Sequence, residues 1–115
     1  MMGKMNIEKF REVLKERIRI SKETQDNWDY GIEQCWLKLV EILSEDIDGT
    51  IEYLRSDCTA DEFIWISEIF EEIAEKTKSR EFISTLYHLA EKYSEEIKKY
   101  NVLNVIQYAE GVLDD

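Results

Sequence analysis

The chain has 115 residues and a formal net charge of −11, because 26 acidic side chains outnumber 15 basic ones. This length fits one domain, and we expect a single helical domain over residues 1–115. A surface of this sign repels a phosphate backbone, which argues against direct nucleic-acid binding. The same charge attracts a basic protein and speeds its association.

The sequence contains no proline and only four glycines, a composition that favours helices over sheets and irregular loops. No apolar run approaches the roughly 18 residues of a membrane span. Residues 1–10 also lack the apolar stretch of a signal peptide. We therefore expect a cytoplasmic protein that does not contact a membrane. Cys35 and Cys58 form no C-x-x-C motif and are expected to be reduced.

Apolar residues recur at steps of three and four through the first half of the chain, which predicts a series of helices. The first helix is expected over 4–20, and charged residues fill its remaining faces. A polar connection over 21–27 leads to a second helix over 28–43, in which Trp28, Cys35 and Trp36 lie in the apolar stripe. A shorter helix is expected over 45–56.

The second half begins with the clearest helix start. Thr59 and Glu62 have the spacing of a capping box, which predicts a fourth helix over 59–76. Ser79 is the expected N-cap of a fifth helix that ends near residue 93. A short helical turn over 94–97 follows, and Asn101 is expected to cap the last helix.

These elements predict an all-α fold, a single compact domain of six or seven antiparallel helices. Short connections make neighbouring helices antiparallel, and both a bundle and stacked helical hairpins satisfy the pattern. The oligomeric state stays open, although Leu103 and Tyr108 on the last helix are candidates for a dimer contact.

Patterns of catalytic and metal-binding residues are missing from the sequence. His88 is the single histidine, and it is expected on the exposed side of the fifth helix. Zinc would need several Cys or His ligands at short spacing. The chain also has no glycine-rich phosphate loop and no nucleophile elbow. We therefore expect no catalytic residue, no metal and no cofactor, and interpret the chain as a binding protein.

The charge is concentrated in the middle of the chain. Residues 1–22 carry seven basic and three acidic side chains, whereas residues 23–75 carry two basic and sixteen acidic ones. Such a concentration favours a face that meets a cationic partner. Alternatively, the basic first helix pairs with the acidic segment inside the molecule, which would weaken the field at that face.

On a helical wheel, Trp65 lies roughly opposite the apolar stripe of the fourth helix, with three carboxylates beside it. A tryptophan ringed by charges is typical of an interface hot spot. Packing against another helix is the alternative, since exposed tryptophan is uncommon. The second helix adds a tyrosine and a glutamate off its core face. The predicted partner-binding residues are Asp61, Trp65, Glu68, Glu72, Tyr30 and Glu33.

A pattern of helix starts and core residues runs through 57–101. It comprises CTADEF at 58–63, Trp65, Ser67-Glu68, SREF at 79–82 and AEKY at 90–93. This pattern resembles the small helical immunity proteins of bacterial polymorphic toxins, in particular those of contact-dependent growth inhibition systems. The likeness covers less than half of the chain, and members of that family often have a proline where Ser94 stands.

The resemblance implies a cytoplasmic, non-catalytic toxin inhibitor. Such a protein binds its cognate toxin domain and covers the active site or an adjacent surface. Many of these toxins are nucleases, whose substrate grooves are basic, and an acidic segment would complement such a groove. One alternative is a helical adaptor or regulatory subunit that binds a basic protein or peptide. Another is an enzyme without a recognised motif.

Overall fold

The chain folds as a succession of helices, and the computed structural model describes residues 5–24, 27 and 29–114. No strand occurs in these residues, so the predicted all-α fold is confirmed. A 3-10 turn over Ser67–Ile69 separates the fourth helix from the fifth. The helices are α1 (Ile7–Thr24), α2 (Asp29–Glu45), α3 (Ile47–Ser56), α4 (Ala60–Ile66), α5 (Phe70–Thr77), α6 (Arg80–Lys92) and α7 (Val102–Val112).

Two of the three predicted helix caps are formed. The Thr59 hydroxyl accepts from the backbone N–H of Glu62 at 3.1 Å, and the Glu62 carboxylate accepts from the backbone N–H of Thr59 at 3.2 Å. Ser79 accepts from the backbone N–H of Phe82 at the start of α6. Asn101 occupies the N-cap position of α7, but its side chain makes no capping hydrogen bond.

The connection between α1 and α2 is shorter than the sequence predicted, because α1 continues to Thr24 instead of ending at Ile20. Ile20 is buried, and the Thr24 hydroxyl donates to its carbonyl oxygen at 2.6 Å. Packing of this turn against α2 therefore outweighs its polar composition. The predicted start of α1 at Lys4 and the predicted burial of Trp28 lie outside the described residues.

The predicted fourth helix over 59–76 is wrong, because the structure divides it into α4, the 3-10 turn and α5. The Ser67 hydroxyl donates to the carbonyl oxygen of Ile64 at 2.5 Å, a contact that competes with regular helical hydrogen bonding. Ile69 then leaves the α-helical region, with φ −126° and ψ 15°. Ile69 and Phe70 both lie in the core, on the face where the apolar spacing of a continuous helix would also place them.

The helices pack around a core that is rich in aromatic side chains. α1 packs along α2, α7 packs on α5 and α6, and contacts of α2 with α5 and of α3 with α6 join these groups. Phe63, Phe70 and Phe82 are fully buried, and the ring centroids of Phe63 and Phe70 are 5.5 Å apart. This packing fixes α4 with Asp61 on its exposed side.

The two cysteines are free and buried, Cys35 on α2 and Cys58 before α4. Burial raises the pKa of both thiols, and that of Cys58 reaches about 12. His88 is exposed on α6, as predicted. None of the described helices has the length and apolar character needed to cross a membrane.

Candidate functional site

A buried arginine on α1 organises the surface around Trp65. Arg17 is only 4% exposed, and its Nη2 and Nε donate to the two oxygens of Glu68 at 2.7 and 3.0 Å. Its guanidinium carbon lies 5.1 Å from the ring centroid of Trp65 and 5.9 Å from that of Trp36. Trp36 Nε1 also donates to Glu68 at 3.1 Å. We call these four residues the Arg17 cluster.

The Arg17 cluster corrects three expectations from the sequence. Arg17 does not lie on a solvated face of α1, and Glu68 is held by side chains of its own molecule. Trp36, predicted in the core, is half-buried, and its indole N–H donates a hydrogen bond to Glu68. A signal for Arg17 existed in the sequence, since it stands three residues after Leu14 and three before Ile20, inside the apolar stripe of α1.

A second ion pair also connects α1 to the fourth helix. Arg11 Nε lies 2.9 Å from a Glu62 oxygen, and the Tyr53 hydroxyl donates to the same carboxylate at 2.7 Å. Burial raises the pKa of Glu62, but the hydrogen bonds from Arg11 and Tyr53 outweigh it and hold this pKa below its usual value. The sequence alternative in which the basic first helix pairs with the acidic segment is therefore confirmed for Arg11 and Arg17.

An open groove lies between α4 and the start of α7, with a volume of about 370 Å³. In its lining, Trp65 is half-buried and Tyr100 is 53% exposed. We call it the Trp65 groove. Its lining includes Asp61, Ile64, Trp65, Glu68, Tyr100 and Val105.

Another groove, of about 400 Å³, lies along α2 and includes Asp29, Glu33 and Trp36 in its lining. We call it the α2 groove. Glu68 lines both grooves, so they adjoin at the Arg17 cluster. None of the ion pairs in the described part of the chain uses Asp29, Glu33 or Asp61. The two grooves therefore form one surface with an excess of negative charge.

The structure brings four of the six predicted binding residues together. Asp61, Trp65 and Glu68 line the Trp65 groove, and Glu33 adjoins them through the α2 groove. Tyr30 is 67% exposed on α2 and lies beside Asp29 in the sequence, but it lines neither groove. Glu72 is exposed and lines a separate depression near the end of α7.

Tyr100, Ile64 and Val105 are among the groove residues that the sequence did not indicate as binding residues. Val105 lies on the apolar last helix, and Tyr100 stands at the end of a polar turn, where no periodicity marks it. Their place in the groove depends on how α7 packs beside α4. An aromatic residue directly before the N-cap of an apolar helix was the available signal.

No group of three or more His, Cys, Asp or Glu side chains that could hold a metal ion occurs in the residues described. Comparison with known proteins gives no match to a family model, a curated protein or a solved structure. Function is therefore inferred from the geometry and charge of this surface and from the resemblance of residues 57–101.

Proposed function

We propose that this chain is an immunity protein that binds and neutralises a cognate toxin domain, a basic nuclease, by direct contact through its acidic surface. The observation that carries the proposal is the surface formed by the Trp65 groove and the α2 groove. There, half-buried aromatic rings adjoin carboxylates that pair with no cation among the described residues. A nuclease needs a basic groove to hold phosphates, and such a groove complements this surface.

The aromatic part of the surface is held in place before binding. Trp65 packs on the hydrophobic core and on the guanidinium of Arg17, so it keeps one orientation in the free protein. An ordered anchor loses little conformational entropy when a partner covers it. Tryptophan anchors with a polar rim carry a large share of the binding energy in many protein interfaces.

The carboxylates supply the electrostatic part of the proposal. Asp61, Glu33 and Asp29 are exposed in the two grooves, and they are separate from the ion pairs that hold α1. A negative field steers a basic partner and raises the association rate above the roughly 10⁵–10⁶ per molar per second of unsteered pairs. Rapid capture suits an inhibitor, because a toxin acts on its target until it is bound.

The gene immediately upstream provides the first test, because the proposal expects it to encode a large secreted protein that ends in a basic, toxic domain. That domain is purified, and its association with the chain is followed by stopped-flow fluorescence at several salt concentrations. The variant Asp61→Lys/Glu33→Lys/Asp29→Lys, which reverses three exposed carboxylates of the two grooves, is expected to associate at least about tenfold more slowly, with loss of protection in a growth assay. Glu68 stays unchanged because it holds Arg17.

The matched control is Glu52→Lys/Glu91→Lys/Glu96→Lys, which makes the same change of charge at exposed positions that line neither groove. It is expected to keep most of the association rate and full protection. Equal effects of the two triple variants would contradict a located binding surface. Tight binding without neutralisation of the toxic domain would favour the adaptor function instead.

A further inference from the structure

We propose that the Trp65 groove receives an arginine side chain of the partner, with its guanidinium on Trp65 and Asp61. This inference deepens the proposed function and rests on it, because it names the chemical group that the acidic surface recognises. The partner segment is therefore basic and presents at least one arginine to the space between α4 and α7.

The spacing of Asp61 and Trp65 suits a cation. They are four residues apart on α4, and side chains at this spacing are neighbours, with about 5–6 Å between their Cβ atoms. Both line the Trp65 groove. A flat cation that stacks on the indole therefore lies within reach of the Asp61 carboxylate. An aromatic face beside a carboxylate is the combination that binds a guanidinium through cation–π contact and charged hydrogen bonds.

The molecule already holds one guanidinium of its own between an indole and a carboxylate. Arg17 lies 5.1 Å from the Trp65 ring centroid and donates to Glu68 through two nitrogens. Arg17 lines the α2 groove and not the Trp65 groove. Trp65 lines the Trp65 groove and Arg17 does not, so part of the indole borders this groove away from the Arg17 guanidinium.

The groove has an apolar floor. Ile64 and Val105 are half-buried in its lining, and Val102 in the same lining is almost fully buried. The three methylenes of an arginine pack on such a floor while the charged end stays at the rim. Tyr100, 53% exposed, provides a second aromatic ring along the same groove.

These features favour arginine over the other side chains that a basic partner presents. A lysine ammonium is compact and strongly hydrated, and it cannot stack on an indole as a planar guanidinium does. An apolar side chain would fill the floor but would remove water from the Asp61 carboxylate without replacing its hydrogen bonds.

The test uses the full chain labelled with ¹⁵N and two peptide probes, acetyl-hexaarginine amide and acetyl-hexalysine amide. Three tryptophans give three indole N–H signals, and that of Trp65 is assigned with Trp65→Phe. Hexaarginine is expected to shift the Trp65 indole and the amides of Asp61 and Tyr100. It is expected to bind about threefold or more tightly than hexalysine.

Substitutions locate the contact. Asp61→Asn is expected to weaken hexaarginine binding by about fivefold to tenfold, because it removes a charged acceptor. Glu52→Gln, the same loss of charge on an exposed position of α3, is expected to change it by less than about twofold. Tyr100→Leu is expected to weaken binding, and Tyr100→Phe to restore it, because the ring and not the hydroxyl makes the contact.

Equal affinity for the two peptides, or shifts confined to the α2 groove, would overturn the inference. Equal effects of Asp61→Asn and Glu52→Gln would also overturn it. Shifts of the same groove signals when the free protein is diluted would assign the groove to a second copy of the chain. A toxin that binds normally to Asp61→Asn and Tyr100→Leu would leave the proposed function standing without this inference. Hexaarginine binding in the Trp65 groove, together with failure to find a toxin partner, would support this inference and contradict the proposed function.

Discussion

Arg17 and Glu68 form a two-point ion pair that joins residues 51 positions apart, with an almost fully buried guanidinium and a carboxylate that is 27% exposed. This pair separates the acidic residues of the candidate surface into two kinds. Glu68 holds Arg17 and Trp36 and therefore has a structural role. Asp61 and Glu33 take no part in the ion pairs that hold α1, so their carboxylates are available to a partner.

The first prediction concerns the Arg17 cluster. Glu68→Gln is expected to lower the free energy of unfolding by about 2–4 kcal/mol, because it removes the carboxylate from a guanidinium that lies out of water. Urea denaturation followed by far-UV circular dichroism measures this loss.

Glu72→Gln provides the control for this prediction. It makes the same change four residues further along, where the carboxylate is exposed, and is expected to stay within about 0.5 kcal/mol of the unmodified protein. Equal stability of the two variants would contradict the assigned role of Glu68. The double variant Arg17→Met/Glu68→Gln is expected to lose less unfolding free energy than the two single variants lose when their losses are added, because the two sites are coupled.

Local signals in the sequence predicted most of the fold. The capping pattern of Thr59 and Glu62 depends on neighbours three positions apart, and so does the cap at Ser79. The buried Phe63 and Phe70 also follow the apolar steps of three and four of the predicted fourth helix. Such interactions are formed within one helix turn or along one helix face, so their residues alone specify them.

The parts that the sequence did not predict depend on distant contacts. Arg17 is charged, and its burial follows from the positions of Glu68, Trp36 and Trp65, which are brought to it only by the packing of α1 on the rest of the fold. The break at Ser67 likewise leaves no mark in the apolar spacing, because Ile66, Ile69 and Phe70 keep the steps of three and four of a continuous helix. Asp61 and Trp65 line one groove, and their role in binding a partner stays a prediction.

The second prediction concerns acid stability through Glu62. Its pKa in the folded protein lies below the ordinary value of 4.5, so folding favours the ionised form. The resulting stability is present above about pH 4.5 and is lost as the pH falls through the lower, folded-state pKa. Glu62→Gln removes this contribution and is expected to cost about 1.5–3 kcal/mol at pH 7.

Unfolding free energies at several pH values between neutral and acid measure this effect. The difference between the unmodified protein and Glu62→Gln is expected to shrink as the pH falls below about 4.5. Glu52→Gln, which removes an exposed carboxylate with no ion pair in the described part of the chain, is expected to give a small difference throughout. A constant difference for Glu62→Gln across the whole range would contradict the assigned hydrogen bonds.

The third prediction concerns Lys78, which ends α5 in the left-handed region with φ 51° and ψ 34°. Glycine adopts this conformation without a Cβ clash, whereas other residues do so at a cost. Lys78→Gly is therefore expected to be about 1 kcal/mol more stable than Lys78→Ala. Both variants lose the hydrogen bond from the Lys78 ammonium to the carbonyl oxygen of Val112. The difference between their melting temperatures therefore measures the cost of the left-handed backbone conformation alone. Equal melting temperatures would contradict the strain at this position.

The fourth prediction separates the two thiols by where they are buried. Cys58 belongs to the main core, whereas Cys35 lies with Ile20 and Ile32 in a smaller cluster between α1 and α2. A small cluster opens at a lower free-energy cost than the main core. Iodoacetamide at pH 8 is therefore expected to modify Cys35 before Cys58. In the folded protein, both thiols are expected to react at least about a hundredfold more slowly than in the protein unfolded by urea.

The variants Cys35→Ala and Cys58→Ala assign each rate, and mass spectrometry follows the modification. Trp36 packs on the smaller cluster and donates to Glu68, so Glu68→Gln is expected to speed the reaction of Cys35 more than that of Cys58. Faster modification of Cys58 would show that the chain opens at the start of α4 instead. An unchanged Cys35 rate in Glu68→Gln would mean that the Arg17 cluster does not hold α1 against α2.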